Sequence, residues 1–339
     1  MRAIVIEAPG RAGLGTLAEP TLAEGQVLLR VRTVGFCGSD LNTFRGLNPL
    51  VSYPRVPGHE IAGVVEAVGV DVPAPLVVGD EVTVVPYTAC GRCSACRRGR
   101  INTCRNNQTL GVQRDGALTE CIVVPWQAVL RSEGLGRREL ALVEPLAVGF
   151  HAVARGRVAA GDVVAVIGTG AVGLGAVAGA ARTGATVIAV DVDDRKLATA
   201  RRAGAGEVVN SQTMSLHDRL QELTDGNGPD VVIEAVGLPE TFVAAVTEVA
   251  TAGRVVYIGY AKAPVSFDTT QFVRKELDIL GARNATAEDF RAVMDLLLAR
   301  HFPVTDAVTR VVSMSDAGSA LRAWDTDPGA VTRIHVDLD

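Results

Sequence analysis

The pattern of hydrophobic and polar positions divides the chain into two parts. Before about residue 160, short runs rich in Val and Ile are bounded by Gly, Pro and Asp. Such runs are typical of β-strands separated by turns. They predict strands over residues 1–6, 26–34, 61–68, 81–85 and 120–124. The loops between these strands carry Cys and Gly, and they are longer than a compact fold usually keeps without a function.

Beyond about residue 160, apolar runs alternate with segments of helical length. Residues 162–167 form a continuous apolar run, as expected of a strand buried on both faces. Helices are predicted over 171–183 and 195–203, and further strands over 186–190, 207–209, 231–234, 254–259 and 276–280. This alternation indicates an α/β fold with a doubly wound parallel sheet. The tail predicts a helix over 287–298 and strands over 309–312 and 332–336.

Composition and charge exclude several classes of protein. At about 150 residues per domain, 339 residues predict two domains. A content of 48% hydrophobic and 21% charged residues excludes global disorder. The net charge is −5, and the one basic cluster, residues 97–100, is interpreted as a solvated loop, so no nucleic-acid partner is expected.

The chain is expected to be cytoplasmic, with no membrane partner. Glu7 and Pro9 interrupt the apolar start and argue against a signal peptide. The longest apolar stretch, around residues 168–181, is rich in Gly and is interpreted as a buried strand–turn–helix segment.

Four of the six cysteines fall within 15 residues, at Cys90, Cys93, Cys96 and Cys104. Tetrahedral zinc needs four soft donors, and a turn-rich loop with Gly91 and Gly99 can bring them together. Four protein ligands leave no open position, so this spacing predicts a structural zinc site. The alternative is a set of free or redox-active thiols, which rarely show such spacing.

A second constellation is made of single residues from separate segments. Cys37 follows a predicted strand, His59 precedes another, and Glu144 lies just before the part of the chain in which strands and helices alternate. Cys37, His59 and a carboxylate would give three mixed ligands and leave one zinc position open, as Lewis-acid chemistry requires. Ser39 and Asp40 are short polar residues beside Cys37 that could orient such ligands.

A glycine fingerprint marks the dinucleotide site. Gly168, Gly170 and Gly173, with Val172 inside the motif, follow an apolar strand and open a helix. These glycines allow a tight turn, close approach of the pyrophosphate and strand–helix packing. Asp191 ends the next strand, where a carboxylate accepts the ribose hydroxyls and repels a 2′-phosphate. The sequence therefore favours NAD over NADP, with Arg195, close after the acid, on the adenosine side.

Taken together and in this order, these motifs resemble those of the zinc-dependent medium-chain dehydrogenase/reductase family, and within it the polyol (sorbitol-type) and sugar-acid dehydrogenases. The resemblance extends over essentially the whole chain. It implies a GroES-like β-rich catalytic domain formed by residues 1–148 and 285–339, and a Rossmann NAD-binding domain formed by residues 149–284. It also implies a homo-oligomer, either a dimer or a tetramer.

The resemblance implies two zinc ions per chain. Catalytic zinc would lie on Cys37 and His59 with Glu60 or Glu144, and structural zinc on the four clustered cysteines. Glu144 stands where the alcohol dehydrogenases proper carry a cysteine ligand, which points to the polyol branch.

Further positions bear on the substrate. Arg283 falls where sorbitol-type enzymes place an arginine that contacts substrate, and residues 274–284 are most similar to dehydrogenases acting on L-galactonate or L-gulonate. Two positions depart from the family pattern. Asn42 replaces a proton-relay histidine found in many relatives, and Thr43 replaces a tyrosine of the sorbitol-type pocket.

We therefore expect NAD-dependent oxidation of a secondary hydroxyl of a polyol or sugar acid (aldonate). The first proton acceptor would be Ser39, which also faces substrate, or a water held by Glu60 or Glu144.

Two alternatives remain open. One is a simple alcohol or diol dehydrogenase of the butanediol type, against which Arg283 argues. The other is a catalytically silent nucleotide-binding scaffold, against which Cys37 and His59 argue, because an open mixed-ligand zinc site serves catalysis.

Overall fold

The computed structural model of the chain describes residues 1–73 and 75–338. In chain order the strands are β1 (Arg2–Ala8), β2 (Arg11–Thr16), β3 (Gln26–Phe36), β4 (Glu60–Val68), β5 (Glu81–Val84), β6 (Cys121–Pro125), β7 (Val129–Arg131), β8 (Val163–Ile167), β9 (Thr186–Asp191), β10 (Glu207–Asn210), β11 (Val231–Glu234), β12 (Arg254–Tyr257), β13 (Asp278–Gly281), β14 (Arg310–Ser313) and β15 (Ile334–Asp337). The helices are α1 (Gly38–Phe44), α2 (Ser94–Arg97), α3 (Arg137–Arg155), α4 (Ala171–Arg182), α5 (Asp194–Arg202), α6 (Leu216–Leu223), α7 (Pro239–Glu248), α8 (Thr270–Arg274), α9 (Ala287–Leu298), α10 (Val304–Ala307) and α11 (Ala317–Thr326).

The chain divides into two compact units. The first unit comprises Met1–Glu144, Met294–Ala299 and Val304–Asp339, and the second comprises Pro145–Val293 and Arg300–Pro303. Among the described residues, no helix combines the length and apolar character needed to cross a membrane.

The first unit is built on a seven-stranded sheet with the order β14-β15-β3-β4-β5-β7, in which β6 also pairs with β3. β3 is the organising strand because it pairs antiparallel with β15, β4 and β6. Its inward residues join a core of Val, Ile, Leu and Phe side chains that also includes Trp324 and Leu321 of α11. This sheet fixes the relative positions of the segments that follow β3 and precede β4.

The second unit contains a six-stranded parallel sheet with the order β10-β9-β8-β11-β12-β13. The strand order reverses between β8 and β11, which makes the carboxyl end of β8 the switch point where such sheets bind ligands. The predicted doubly wound parallel sheet is confirmed.

Close backbone contact packs α4 against the part of α3 that lies in this second unit. A Cβ atom on Gly149 would come within 2.3 Å of the Ala176 nitrogen, and one on Gly175 within 2.4 Å of the Leu146 oxygen. Small residues at both positions therefore set how closely the two helices approach.

Several elements were not foreseen from the sequence. The hairpin strand β2 and the short strand β7 lie outside the predicted strands. Helices were predicted only at α4, α5 and α9, so α1, α2, α3, α6, α7, α8, α10 and α11 were not foreseen. In α3, Pro145 lies inside the helix. Proline and glycine usually interrupt helices, so the residue pattern of this segment does not indicate one. Its buried side chains hold it in helical form.

Candidate active site and metal centres

Adjacent ends of two antiparallel strands bring Cys37 and His59 together. Cys37 follows β3, and His59 immediately precedes β4, whose first residue pairs with Gly35 in the sheet register. Asp40 joins the two loops, because its carboxylate accepts hydrogen bonds from the Cys37 nitrogen at 2.9 Å and from the Gly58 nitrogen at 3.2 Å. The buried carboxylate thus fixes the backbone on which both candidate ligands stand.

Glu60 completes a cluster with Cys37 and His59. The candidate ligand atoms of these three residues all lie within 4.8 Å of one another. The Glu60 side chain is fully buried, and it occupies space that a Cβ on Gly35 would fill, since that atom would lie 2.1 Å from Glu60 Oε2. Arg333 donates from NH1 to Glu60 Oε1 at 2.5 Å and to the Phe36 carbonyl at 2.8 Å.

The cluster is electrostatically coupled. Burial opposes ionisation of the Cys37 thiol, yet the hydrogen bond to His59 and the positive charges of His59 and Arg333 lower the pKa of Cys37 to about 7. Burial alone would lower the pKa of His59, but the interaction with Cys37 and the nearby acids raise it well above its ordinary value. Burial raises the pKa of Glu60 well above its ordinary value, against the opposing charge of Arg333.

Glu144, which lies in α3, is near this cluster, but its carboxylate oxygens do not lie within 4.8 Å of all three ligand atoms. It is buried, and its charge raises the pKa of His59 and of Glu60. The Tyr87 hydroxyl, from the loop after β5, donates a hydrogen bond to Glu144 Oε1. Burial and the Glu144 charge raise the pKa of Tyr87 well above its ordinary value, so the phenol keeps the proton it donates.

The donor set fits a zinc ion. His59 Nδ1 and Glu60 Oε2 are buried and have no hydrogen-bond partner within the described part of the chain. Buried polar atoms without partners are costly, and these two belong to side chains that lie beside a thiol of lowered pKa, which is typical of a cation-binding site. One thiolate, one imidazole and one carboxylate are ligands that zinc accepts while it keeps a fourth position open. Both Glu60 and Glu144 remain candidates for the carboxylate.

The four clustered cysteines form a second group, with all four sulfur atoms within 4.8 Å of one another. The Sγ atom of Cys93 lies 3.5 Å from that of Cys96 and 3.9 Å from that of Cys104. Backbone N–H groups of Cys90 and Asn106 point at the Cys104 sulfur. Donation from the backbone of Arg105 and Cys96 lowers the pKa of Cys93 to about 6. This closed set of four thiols fits a structural zinc ion.

The dinucleotide fingerprint forms the turn between β8 and α4. Gly168 has φ +92°, and a Cβ there would lie 2.5 Å from Val236 Cγ2. A Cβ on Gly173 would lie 1.8 Å from the Gly168 oxygen, so no other residue fits. By contrast, a Cβ on Gly170, the N-cap of α4, would meet nothing within 4 Å. That open space at a helix N-terminus is where a pyrophosphate can approach the backbone, while Val172 is half-buried in the first turn.

Asp191 ends β9 beside this turn. Its Oδ2 atom accepts hydrogen bonds from the Thr169 nitrogen at 2.7 Å and the Thr169 hydroxyl at 2.9 Å. The carboxylate is therefore fixed next to the glycine turn, as recognition of a ribose requires. Arg195, four residues later, forms an ion pair with Asp193.

The remaining candidates have different surroundings. Ser39 Oγ is buried without a hydrogen-bond partner among the described residues. Thr43 is buried, and its hydroxyl donates to the Ser39 carbonyl at 2.9 Å. Asn42 is half-buried in α1, and Arg283 is half-buried just after β13.

Two residues of the site, Arg333 and Tyr87, were not predicted from the sequence. Arg333 is 4% exposed, and it stands in a segment predicted to be a strand, where an arginine among apolar residues is a usable signal of a buried charge. Tyr87 carries no comparable signal, because nothing in its neighbourhood distinguishes it from a packing aromatic residue.

Comparison with known families finds two matching models. Residues 171–299 match the zinc-binding dehydrogenase model, and residues 23–134 match the alcohol dehydrogenase GroES-like domain. Helix α4 lies within the first match. Cys37 and the four clustered cysteines lie within the second.

Among curated relatives, the chain is 32% identical to a zinc-type alcohol dehydrogenase-like protein of Haemophilus influenzae, covering 99% of this chain and 98% of that protein. It is 33% identical to L-galactonate-5-dehydrogenase of Escherichia coli K12, covering 84% and 86% of the two chains. It is 35% identical to sorbitol dehydrogenase of Bacillus subtilis, covering 83% and 81%.

Solved structures agree with this relationship. A short chain alcohol dehydrogenase from Escherichia coli CFT073 complexed with NADH superposes with a TM-score of 0.91 at 30% identity, covering 100% of this chain and 99% of that one. A zinc-binding dehydrogenase from Sinorhizobium meliloti bound to NADP superposes with a TM-score of 0.91 at 28% identity, covering 99% of this chain and 99% of that one. A 2R,3R-butanediol dehydrogenase from Bacillus subtilis superposes with a TM-score of 0.88 at 27% identity, covering 100% of this chain and 99% of that one.

Proposed function

The chain belongs to the zinc-binding alcohol dehydrogenase family, with a GroES-like domain and a Rossmann domain, and from this premise we propose its reaction. The enzyme oxidises a secondary hydroxyl of a polyol or sugar acid, with NAD as the hydride acceptor. The observation that carries the proposal is the buried cluster of Cys37, His59 and Glu60, whose ligand atoms converge within 4.8 Å.

Cys37 and His59, with Glu60 or Glu144 as the carboxylate, would hold the catalytic zinc ion. Zinc at this position supplies Lewis-acid chemistry, which lowers the pKa of a bound hydroxyl. The surrounding residues keep the donor set in place. Asp40 holds the two ligand-bearing loops, and Arg333 keeps one oxygen of Glu60 engaged.

Oxidation of the alcohol releases a proton from the hydroxyl and a hydride from the carbon. Ser39 would relay the proton: its buried Oγ, which has no hydrogen-bond partner among the described residues, would take up the substrate proton while its own hydroxyl proton passes to water. A water held by Glu144 is the second route, because the Tyr87 hydroxyl occupies only the Oε1 atom of that carboxylate.

The Rossmann unit provides the proposed NAD site. The open backbone at Gly170 supports pyrophosphate binding at the start of α4. The fixed carboxylate of Asp191 supports recognition of an unmodified ribose, because its charge opposes a 2′-phosphate.

Arg283 supports the substrate class. A planar guanidinium can bind a carboxylate through two hydrogen bonds or donate to vicinal hydroxyls, and both favour a polyhydroxylated substrate over a plain alkanol. The similarity to L-galactonate-5-dehydrogenase and sorbitol dehydrogenase points in the same direction.

The experiment is to measure NADH formation by the zinc-loaded enzyme over a panel of polyols, aldonates and short alcohols. We expect Arg283→Ala to lower kcat/KM for the best aldonate about tenfold to a hundredfold, which corresponds to losing about 1.5–3 kcal/mol of charge-assisted binding. Arg283→Lys should recover only part of this, and ethanol or butanediol should be little affected. A wild-type enzyme that oxidises short alkanols better than any aldonate or polyol contradicts the substrate assignment.

A second candidate is oxidation of a small diol, which the similarity to a 2R,3R-butanediol dehydrogenase favours. The same panel separates the two, because a diol dehydrogenase would prefer butanediol and would respond to Arg283→Ala equally with all substrates.

We also propose that the enzyme is a homo-oligomer, a dimer or a tetramer, in the cytoplasm. Family membership supports the first point, and the six unbonded thiols, which suit a reducing compartment, support the second. Light scattering coupled to size-exclusion chromatography measures the oligomeric state.

A further inference from the structure

The chain itself holds the Asp191 carboxylate in place. In addition to the two bonds from Thr169, its Oδ1 atom accepts the backbone N–H of Val192 at 2.8 Å and that of Asp193 at 3.2 Å. These four hydrogen bonds fix a negative charge beside the glycine turn. The choice between a ribose and a 2′-phosphate then also depends on which other charges surround Asp191.

Arg195 follows Asp191 by four residues, and its side chain forms an ion pair with Asp193. The Arg195 guanidinium donates from Nε to Asp193 Oδ1 at 3.2 Å and from NH2 to Asp193 Oδ2 at 2.7 Å, which is a two-pronged ion pair. The hydrogen bonds from the Arg195 side chain hold the pKa of Asp193 at about 2, against the opposing effect of burial. Asp193 also accepts the Arg195 backbone N–H at 2.8 Å as the N-cap of α5.

This pair lies directly beside the residue that faces the adenosine ribose. The Asp193 backbone donates to the Asp191 carboxylate, while its side chain holds Arg195. In dinucleotide-binding folds an arginine near this acid accommodates the 2′-phosphate of NADP. An arginine whose guanidinium is engaged by a neighbouring carboxylate has less to offer such a phosphate.

We propose that Asp193 is a positioning residue that withholds Arg195 from an adenosine 2′-phosphate, so that selection of NAD over NADP depends on the Asp193–Arg195 pair as well as on Asp191. The inference rests on the proposed use of NAD. It explains why a chain that carries an arginine at the turn can still reject NADP, in a fold whose solved relatives include one bound to NADH and one bound to NADP.

The test measures dissociation constants of NADH and NADPH for the full-length, zinc-loaded protein by nicotinamide fluorescence. Asp193→Asn removes the charge but keeps a good N-cap for α5. We expect it to lower the ratio Kd(NADPH)/Kd(NADH) about tenfold, as one charge-assisted contact to phosphate becomes available. In the double variant Asp193→Asn/Arg195→Ala the ratio should return to the wild-type value. Asp218→Asn, the same change at an exposed acid in the first turn of α6, should leave the ratio unchanged.

The outcomes are separable. A wild-type ratio near one contradicts the proposed preference for NAD itself. A high wild-type ratio that Asp193→Asn does not lower overturns only the inference about Asp193. If the ratio stays low in the double variant, Asp193 acts by repelling the phosphate directly, and the inference about Asp193 is again overturned. If Arg195→Ala alone raises the ratio, Arg195 already serves the phosphate in the wild-type protein, and the inference is wrong. A melting temperature for each variant confirms that the folded protein is being compared.

Discussion

Arg333 places a permanent positive charge beside the carboxylate of Glu60, and both side chains are almost completely removed from solvent. A buried ion pair adds little net stability compared with apolar residues of the same size, but breaking it leaves one charge uncompensated. The pair thus ties the C-terminal strand of the first unit to the residues around Cys37.

Arg333→Leu should lower the free energy of unfolding by about 3–5 kcal/mol, because it leaves Glu60 buried without its partner. Urea denaturation of the zinc-loaded protein measures this. The double variant Glu60→Gln/Arg333→Leu removes both charges and should regain most of the loss. If the double variant is no more stable than Arg333→Leu, the pair is not what holds this part of the fold.

His335 should make the free energy of unfolding depend on pH. It is fully buried on β15, and neither ring nitrogen has a partner among the described residues. Burial, together with the charges of Arg333 and Arg138, lowers the pKa of His335 to about 3. Between pH about 6.5 and 3 the unfolded chain binds a proton that the folded chain does not, so stability falls as the pH falls, by up to about 1.4 kcal/mol per pH unit.

We expect His335→Leu to weaken this acid dependence. The stability difference between variant and wild type, measured by urea denaturation at intervals from pH 7 to pH 4, should shift in favour of the variant as the pH drops. The exposed His301, changed to Gln, is the control for replacing a histidine. Parallel pH profiles for wild type and His335→Leu would show that folding does not change the pKa of His335, and the prediction would be wrong.

At the scale of elements, two glycines of the β8–α4 turn are expected to have different roles, one in cofactor binding and one in folding. Gly170 has φ −64° and ψ −177°, which any residue can adopt, and a side chain there would meet no protein atom within 4 Å. Gly173 instead packs against the backbone of Gly168. Gly170→Ala should therefore leave the melting temperature unchanged and raise the Kd of NADH about tenfold or more, by blocking the approach of the pyrophosphate.

Gly173→Ala is the matched comparison, and it should lower both the melting temperature and NADH affinity, since its Cβ would lie 1.8 Å from a backbone oxygen. Fluorescence titration and thermal unfolding measure the two effects. An unchanged NADH affinity in Gly170→Ala would place the pyrophosphate elsewhere.

Hydrophobic periodicity predicts the strands of the Rossmann sheet well because strands buried on both faces are continuous apolar runs. It misses β2 because Arg11–Thr16 contains two glycines and is half-exposed. It misses α3 because Pro145 and Gly149 have the appearance of helix breakers, whereas packing against α4 requires the glycine. Local preference is a weak guide wherever tertiary packing decides the outcome.

At the scale of the molecule, residues carried by short motifs can be predicted from the sequence, but residues that join distant segments cannot. Cys37 and His59 stand in recognisable local contexts beside strand ends. Arg333 reaches Glu60 across 273 positions of the chain, and this contact depends on the sheet order that places β15 beside β3. Tyr87 meets Glu144 across 57 positions, again without a local pattern.

The two cysteine-containing clusters imply a definite metal content for the whole chain. Elemental analysis of freshly purified protein should find two zinc ions per chain, one at the closed four-cysteine site and one at the open site. Cys93→Ser and Cys37→Ser should each lower the content to one. Cys121→Ser, at a half-buried cysteine outside both clusters, should leave it at two.

The two sites should also differ in how metal loss affects the molecule. The proposed catalytic site would keep one zinc position for solvent or a chelator, so chelation should abolish activity before it unfolds the protein. Cys93→Ser should cost stability and solubility, because metal binding at the four-cysteine loop is coupled to its folding. Comparing residual activity with thermal unfolding during chelator titration tests the order of the two losses. A zinc content of one or none in the wild-type protein would contradict the assignment of two sites, whatever the order in which activity and structure are lost.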